Sequence, residues 1–212
     1  MPSLRMVLNE IRKELEEKEK VRKKANEDMR KATRLSKQAI LFIHQKKIDK
    51  AKKFIGRAGK IILRLNNAST RYPKIIYSNL FYAALQEYSE ANILLKLIEE
   101  SRFMTPEEVN VPSVDYVLGL ADVVGEYRRL TLDNLRENSV EKGEKCLQIM
   151  DEIFTELIGM DEVYMLVPGL RRKCDIARRI IEATRGDVAQ EVRRSSLERH
   201  LKAFEESVRK KV

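Results

Sequence analysis

Apolar residues recur at intervals of three and four along almost the whole chain, which is the pattern of amphipathic helices. Polar caps and turn residues separate the successive runs. The predicted helices are, in order, Ser3 to about Gln45, Asp49 to the segment NNASTRYP, Ile75 to about Glu100, a short one in TPEEVN, Ser113 to about Asn138, Ser139 to Leu157, one that closes at Gly186, and a last one from Asp187.

The connections between these runs are short, and no linker composition separates one part of the chain from another. The 8 glycines and 5 prolines are few for 212 residues, and the prolines fall at the predicted boundaries. We therefore expect an all-α protein: one domain over residues 1–212, folded as an antiparallel bundle of about seven helices.

Composition and local sequence patterns indicate the cellular compartment of the protein. Cys146 and Cys174 are the two cysteines, and they lack the spacing of a metal site, which favours a reducing compartment. The first residues are charged and have no apolar core, so they do not resemble a signal peptide. No apolar stretch approaches the length of a membrane span. These features predict a cytoplasmic protein with no membrane partner.

Charge is distributed unevenly along the chain. The net charge is +9, but residues 1–60 carry 19 Lys+Arg against 8 Asp+Glu, and the remainder is slightly acidic. Lys53, Arg57, Lys60 and Arg64 form a stripe on the second predicted helix, opposite its apolar face. A phosphate backbone suits such a stripe, although a solvated face would have the same pattern. We favour phosphate binding.

Two glutamates lie on the apolar face of the third predicted helix. Glu87 and Glu90, in LQEYSEANILL, are three residues apart, so their Cβ atoms lie about 5–6 Å from each other. Because burying two neighbouring carboxylates is costly, the pattern predicts that a cation lies between them.

The fourth predicted helix carries a second acidic pair, Asp122 and Glu126, with Gly119 and Gly125 beside it. Glycine within a helix costs about 0.5–1 kcal/mol relative to alanine, so these two indicate that another helix or a ligand comes close. Four carboxylates would suit Mg²⁺, or Mn²⁺ in its place. Salt bridges to Arg128 or Arg129 are the alternative.

Five stretches of the chain carry a resemblance to the translin family, and to its Trax-type members in particular. They are KQAILFIHQ, DKAKKFIGRAGKIILRL with the following RYP, LQEYSEA, VPSVDYVLGLADVVGEYRRL and IEATRGD. The resemblance covers nearly the whole chain in order and spacing. It implies a translin-like all-α bundle that assembles into a hollow homo-oligomer, an octamer in this family.

The resemblance also implies an activity. Trax-type proteins are endoribonucleases whose acidic residues bind Mg²⁺, and these residues match Glu87, Glu90, Asp122 and Glu126 here. The expected partners are single-stranded or duplex RNA, and single-stranded DNA as a further candidate. The basic nucleic-acid motif of translin is missing from KIIYSNLFYAAL. RNA contacts are therefore expected from the basic stripe of the second predicted helix and from Arg129.

Two other functions fit parts of this pattern. A non-catalytic scaffold for single-stranded nucleic acid, as translin is, would use the basic residues but not the four acids. An all-α nucleoside triphosphate pyrophosphohydrolase would use the acids on a free nucleotide but would not need the basic first third. The Mg²⁺-dependent endoribonuclease uses both features, and it is the function that the sequence favours.

Overall fold

The computed structural model describes residues 3–209, and over this range every regular element is helical. The all-α prediction is therefore confirmed. The helices are α1 (Leu4–His44), α2 (Ile48–Ser69), α3 (Pro73–Ile76), α4 (Asn79–Glu100), α5 (Pro106–Val109), α6 (Ser113–Arg136), α7 (Val140–Ile158), a 3₁₀ helix (Asp161–Leu166) and α8 (Leu170–Arg209). Within the same range, no helix has the length and apolar content that a membrane crossing requires.

The chain separates into two compact units, with the boundary between Gly119 and Leu120, inside α6. In the first unit, α1 packs against α2 and α4. The apolar stripes read from the sequence form its core, in which Met29, Ile62 and Phe81 are almost fully buried. Helices α2 and α4 approach closely where α2 has Gly59, since a Cβ there would lie 2.6 Å from the Tyr88 hydroxyl.

The first turns of α1 differ from the rest of that helix. Leu4, Leu8, Ile11 and Leu15 keep the predicted periodicity, yet all four are exposed. Burial along α1 begins at Ala25. Periodicity thus predicted the helix correctly, but it could not say which part of the apolar face is covered.

In the second unit, α7 packs against α8. Met150, Ile153 and Leu157 of α7 are buried, as are Cys174, Ala177 and Ile181 of α8. Arg128 of α6 donates a hydrogen bond to Thr184 Oγ1 at 2.6 Å and forms an ion pair with Asp187 at 3.3 Å.

Several predicted ends are confirmed. Ser3 caps α1 by accepting a hydrogen bond from the Met6 amide. Thr105 and Glu108 form a capping box around α5, with Pro106 in its first turn.

Three predicted ends are wrong. The helix predicted to close at Gly186 continues to Arg209, because a glycine ends a helix only where the chain turns away, and elsewhere it is tolerated. Asp49 lies in the first turn of α2, and Lys47 occupies the cap position. The helix predicted from Ile75 is divided at Tyr77 and Ser78, whose backbones are not helical.

Candidate metal and nucleic-acid site

The two glutamates of α4 lie inside the first unit, as the apolar face predicted. Glu90 is buried, with 7% of its surface exposed. Glu87 is half-buried, and its Oε1 lies 3.1 Å from the Nζ of Lys37 on α1. A cation does accompany the glutamates, therefore, and it is a lysine ammonium that the sequence analysis did not single out.

Helix α6 comes very close to α4 beside these glutamates. A Cβ atom at Gly119 would lie 2.7 Å from the Gln86 carbonyl oxygen and 2.7 Å from the Ser89 Cβ. No side chain fits at that separation, which explains why a helix with good formers elsewhere has glycine here. The close approach predicted at Gly119 is confirmed, and its partner is the backbone of α4.

A third acid belongs to the same neighbourhood. Asp115, in the first turn of α6, is only 2% exposed. Burial raises the pKa of Asp115 to about 6, and a hydrogen bond with the Gln86 side chain opposes part of that rise. Nothing in the sequence indicated a contact between Asp115 and the residue before Glu87.

The acidic pair of α6 lies in the second unit and has a lysine of its own. Lys173, near the start of α8, contacts both carboxylate oxygens of Asp122. Glu126, one turn further along, is half-buried. No atom would lie within 4 Å of a Cβ at Gly125. The close approach predicted there is thus not made by a helix of the described chain.

The salt bridges considered from the sequence are not the ones that form. Arg128 pairs with Asp187 on α8, and Arg129 is exposed. Lys37 and Lys173 neutralise the acids instead. Sequence spacing does not reveal these pairs because both join residues of different helices.

Carboxylate oxygens are the ligands that Mg²⁺ prefers, so the chemistry of both pairs fits this ion. Each pair also attracts a cation, which is what a metal site needs. Within residues 3–209, however, no three His, Cys, Asp or Glu side chains are gathered as a metal would hold them. Beside Glu87 and beside Asp122, the neighbouring cation is a lysine ammonium.

The basic stripe of α2 is exposed at all four of its positions, Lys53, Arg57, Lys60 and Arg64. Two of the four are engaged within the first unit. Arg64 lies 3.6 Å from Asp28, and the Arg57 guanidinium lies over the Phe54 ring at 5.3 Å. Half of the stripe is therefore already held by neighbours, which leaves Lys53 and Lys60 better placed for an outside anion.

Comparison with known proteins decides the family. The Translin family model matches residues 5–184. The chain belongs to the Translin family. An uncharacterized protein of Methanocaldococcus jannaschii is 30% identical over 197 residues, which cover 92% of this chain and 87% of that protein.

Solved structures agree with this assignment. The crystal structure of AfC3PO is 32% identical with a TM-score of 0.78, and it covers 87% of this chain and 96% of its own. AfC3PO in complex with duplex RNA is 31% identical with a TM-score of 0.77, covering 87% and 95%. Apo-NeC3PO, at 24% identity and a TM-score of 0.77, covers 90% and 98%, and it supports the fold alone. The predicted translin-like fold is confirmed.

Proposed function

We propose that this translin-family protein is a Mg²⁺-dependent endoribonuclease that works as a homo-oligomer. The observation that carries the proposal is the pairing of half-buried carboxylates with lysine ammonium groups at Glu87 and Asp122. Such pairs hold acidic side chains in place without a metal. They are also chemically suited to exchange a lysine for a divalent cation.

Glu87 and Glu90 on α4 would be ligands of Mg²⁺, and so would Asp122 and Glu126 on α6, with Mn²⁺ as an alternative ion. When bound, Mg²⁺ would supply positive charge near the phosphodiester and lower the pKa of a water molecule for its hydrolysis. Lys37 and Lys173 hold Glu87 and Asp122 in place beforehand and then become donors for RNA phosphates. Lys53, Arg57, Lys60, Arg64 and Arg129 attract and position the RNA backbone.

The neighbouring AfC3PO–duplex RNA complex supports RNA as the partner. We extend this to single-stranded RNA and, with lower affinity, to single-stranded DNA. The oligomer would be the octamer of the family, and the enzyme would act in the cytoplasm. The exposed apolar residues of the first turns of α1 are consistent with assembly, because monomers seldom expose so regular a row.

A non-catalytic nucleic-acid-binding protein is the second candidate. The Lys37–Glu87 and Lys173–Asp122 ion pairs favour it, since lysines that stay in place would make the acids structural. The two candidates share their partner and differ in chemistry.

Incubation of the protein with single-stranded and duplex RNA, with Mg²⁺ or with EDTA, separates them. The proposal expects internal cleavage in Mg²⁺, none in EDTA, and products with 5′-phosphate and 3′-hydroxyl ends. Binding without cleavage would establish the scaffold instead. Cleavage that persists in EDTA and leaves 2′,3′-cyclic phosphates would show attack by the RNA's own 2′-hydroxyl, and the metal-dependent mechanism would be wrong.

A further inference from the structure

A groove on the first unit has no role in the function described so far. It lies between α1 and the start of α4 and has a volume of about 450 Å³. Its lining is almost wholly apolar: it consists of Leu41, Leu80 and the aliphatic stems of Arg30, Arg34 and Lys37, whose charged ends contribute little to it. This volume is in the range of small-ligand sites, so a nucleotide unit fits.

The charge of this groove is uncompensated at the end remote from Glu87. Arg30 and Arg34 are exposed, and no carboxylate of residues 3–209 pairs with either. On the same helix, Arg12 and Arg22 are each engaged by a glutamate. Two arginines left without an acid, on one face and in a groove, are suited to bind an anion.

The geometry fits an extended polyanion better than a single phosphate. Positions 30, 34 and 37 follow one face of α1, with rises of about 6 Å and about 4.5 Å between them. Guanidinium groups bind phosphate oxygens in a bidentate manner. The adjoining Leu41 and Leu80 offer apolar contact to the sugars and bases between the phosphates. Successive charges with apolar intervals are the chemistry of a nucleic acid strand.

The groove also adjoins the candidate site. Lys37 lines it and at the same time contacts Glu87 at 3.1 Å. A strand held by Arg30 and Arg34 would therefore reach Glu87 through the side chain of Lys37. The α2 stripe has no such connection among its described contacts, because Arg64 leads to Asp28 and Arg57 to Phe54.

We propose that the Arg30–Arg34–Lys37 groove binds the RNA backbone and leads it to Glu87. This inference rests on the proposed RNA binding and adds Arg30 and Arg34 to the residues that perform it. Arg30 and Arg34 hold successive phosphates, and Lys37 exchanges its contact with Glu87 for the phosphate nearest the carboxylates. These residues position the strand and do not take part in its chemistry.

The test compares two charge-matched double variants of the full-length protein. Arg30→Gln with Arg34→Gln removes the groove cations. Arg5→Gln with Lys31→Gln removes two exposed cations of the same helix that do not line the groove. Binding of fluorescent single-stranded and duplex RNA is measured by anisotropy across a salt series, and cleavage is measured in Mg²⁺.

The groove variant should bind single-stranded RNA roughly tenfold more weakly or worse at moderate salt. Its log–log salt slope should fall by about 1.4, which is about 0.7 for each lost phosphate contact. Its cleavage defect should appear as a raised KM, with kcat retained at saturating RNA. The control should change much less in all three measurements.

A footprint gives a measurement that does not depend on removing charge. Gln38→Cys places a thiol in the groove, whereas Glu10→Cys places one on the same helix about 42 Å away. Both are made with Cys146→Ser, and saturating RNA should slow maleimide labelling at position 38 several-fold more than at position 10. Equal protection at both positions would contradict the groove.

The outcomes also separate this inference from the function on which it rests. A wild-type protein that neither binds nor cleaves RNA would remove the proposed function. A wild-type protein that does both, while the groove variant matches the control, would show that only the groove is wrong.

Discussion

The acidic pairs of α4 and α6 look alike in the sequence but have opposite environments. At Glu87 the acid is the sheltered partner, with 24% of its side chain exposed against 63% for Lys37. At Asp122 the lysine is the sheltered partner, with 24% exposed against 38% for the carboxylate. The α4 pair also has α6 packed tightly at Gly119, whereas Gly125 beside the α6 pair faces open space.

This difference shows that, in two salt bridges between a lysine and a carboxylate, the partner that is fixed in position can differ. Lys37 can exchange its contact with Glu87 for water at little cost. The α4 carboxylates are therefore fixed in position, and the ammonium group beside Glu87 is removable. Lys173 leaves a less exposed position if it moves, so at α6 the cation is the fixed partner and the carboxylate the adaptable one.

The largest effect is expected on cleavage. Glu87→Gln and Asp122→Asn keep the shape of each side chain and remove a ligand charge, so each should lower Mg²⁺-dependent RNA cleavage by about 100-fold or more. RNA binding should survive. Glu205→Gln, at an exposed position of α8, is the control and should cleave normally.

The stability of the same two variants tests the difference between the Lys37–Glu87 and Lys173–Asp122 ion pairs. Glu87→Gln releases an exposed lysine, so its melting temperature without metal should match or exceed that of the wild type. Asp122→Asn leaves the less exposed Lys173 unpaired and should melt lower. If both variants cleaved RNA as the wild type does, neither pair would be a catalytic metal site.

Asp115 should make stability depend on pH. Its pKa is raised from 3.8 to about 6 in the folded protein, so the folded state binds the proton more tightly than the unfolded state. The stabilisation is complete below the unfolded value and is lost as pH rises through about 6, a change of roughly 3 kcal/mol. Asp115→Asn avoids that loss.

Urea denaturation at two pH values measures this effect. Near pH 7.5, Asp115→Asn should unfold with a free energy higher than the wild type by up to about 3 kcal/mol, and at about pH 4.5 the gain should shrink to about 1 kcal/mol. Asp175→Asn, at an exposed position, should change little at either pH. A variant gain that did not vary with pH would mean that Asp115 is not held protonated by burial.

The two glycines of α6 allow a matched test of the packing. Gly119→Ala places a methyl group against the α4 backbone and should cost about 2 kcal/mol. Gly125→Ala meets nothing in the described structure and should stabilise the helix by about 0.5–1 kcal/mol. Thermal unfolding measures both. Equal destabilisation by the two alanines would show that Gly125 also faces a close neighbour, as it would inside an oligomer.

The helices and the acidic residues of the candidate site could be predicted from the sequence, because helical periodicity and acids on an apolar face are local signals. Glu87 and Glu90 stood out since charge interrupts an otherwise apolar stripe. The partners could not be predicted in the same way. Lys173 is 51 residues from Asp122 along the chain, and its charge is ordinary for this composition. The helix end predicted at Gly186 was wrong because glycine is compatible with both a helix end and a helix interior.

The smallest effects on stability are expected from replacing the two lysines. These effects test most directly the difference between the α4 and α6 pairs. Lys37→Met leaves the sheltered Glu87 one turn from Glu90 without its ammonium, which should cost roughly 1 kcal/mol in the absence of metal. Lys173→Met leaves the more exposed Asp122 to water and should cost roughly 0.5 kcal/mol. Thermal unfolding in EDTA would show this order.

Mg²⁺ should then reverse the loss. A ligand that binds the folded state raises stability according to its concentration relative to its Kd, and without a competing ammonium the ion should bind more tightly. The rise in melting temperature on adding Mg²⁺ should therefore be larger for Lys37→Met than for the wild type, and Ca²⁺ or Mn²⁺ should act in the same direction. If Mg²⁺ shifted the wild type and both lysine variants equally, the lysines would not occupy the cation positions. The acidic pairs would then be parts of the fold and not of a metal site.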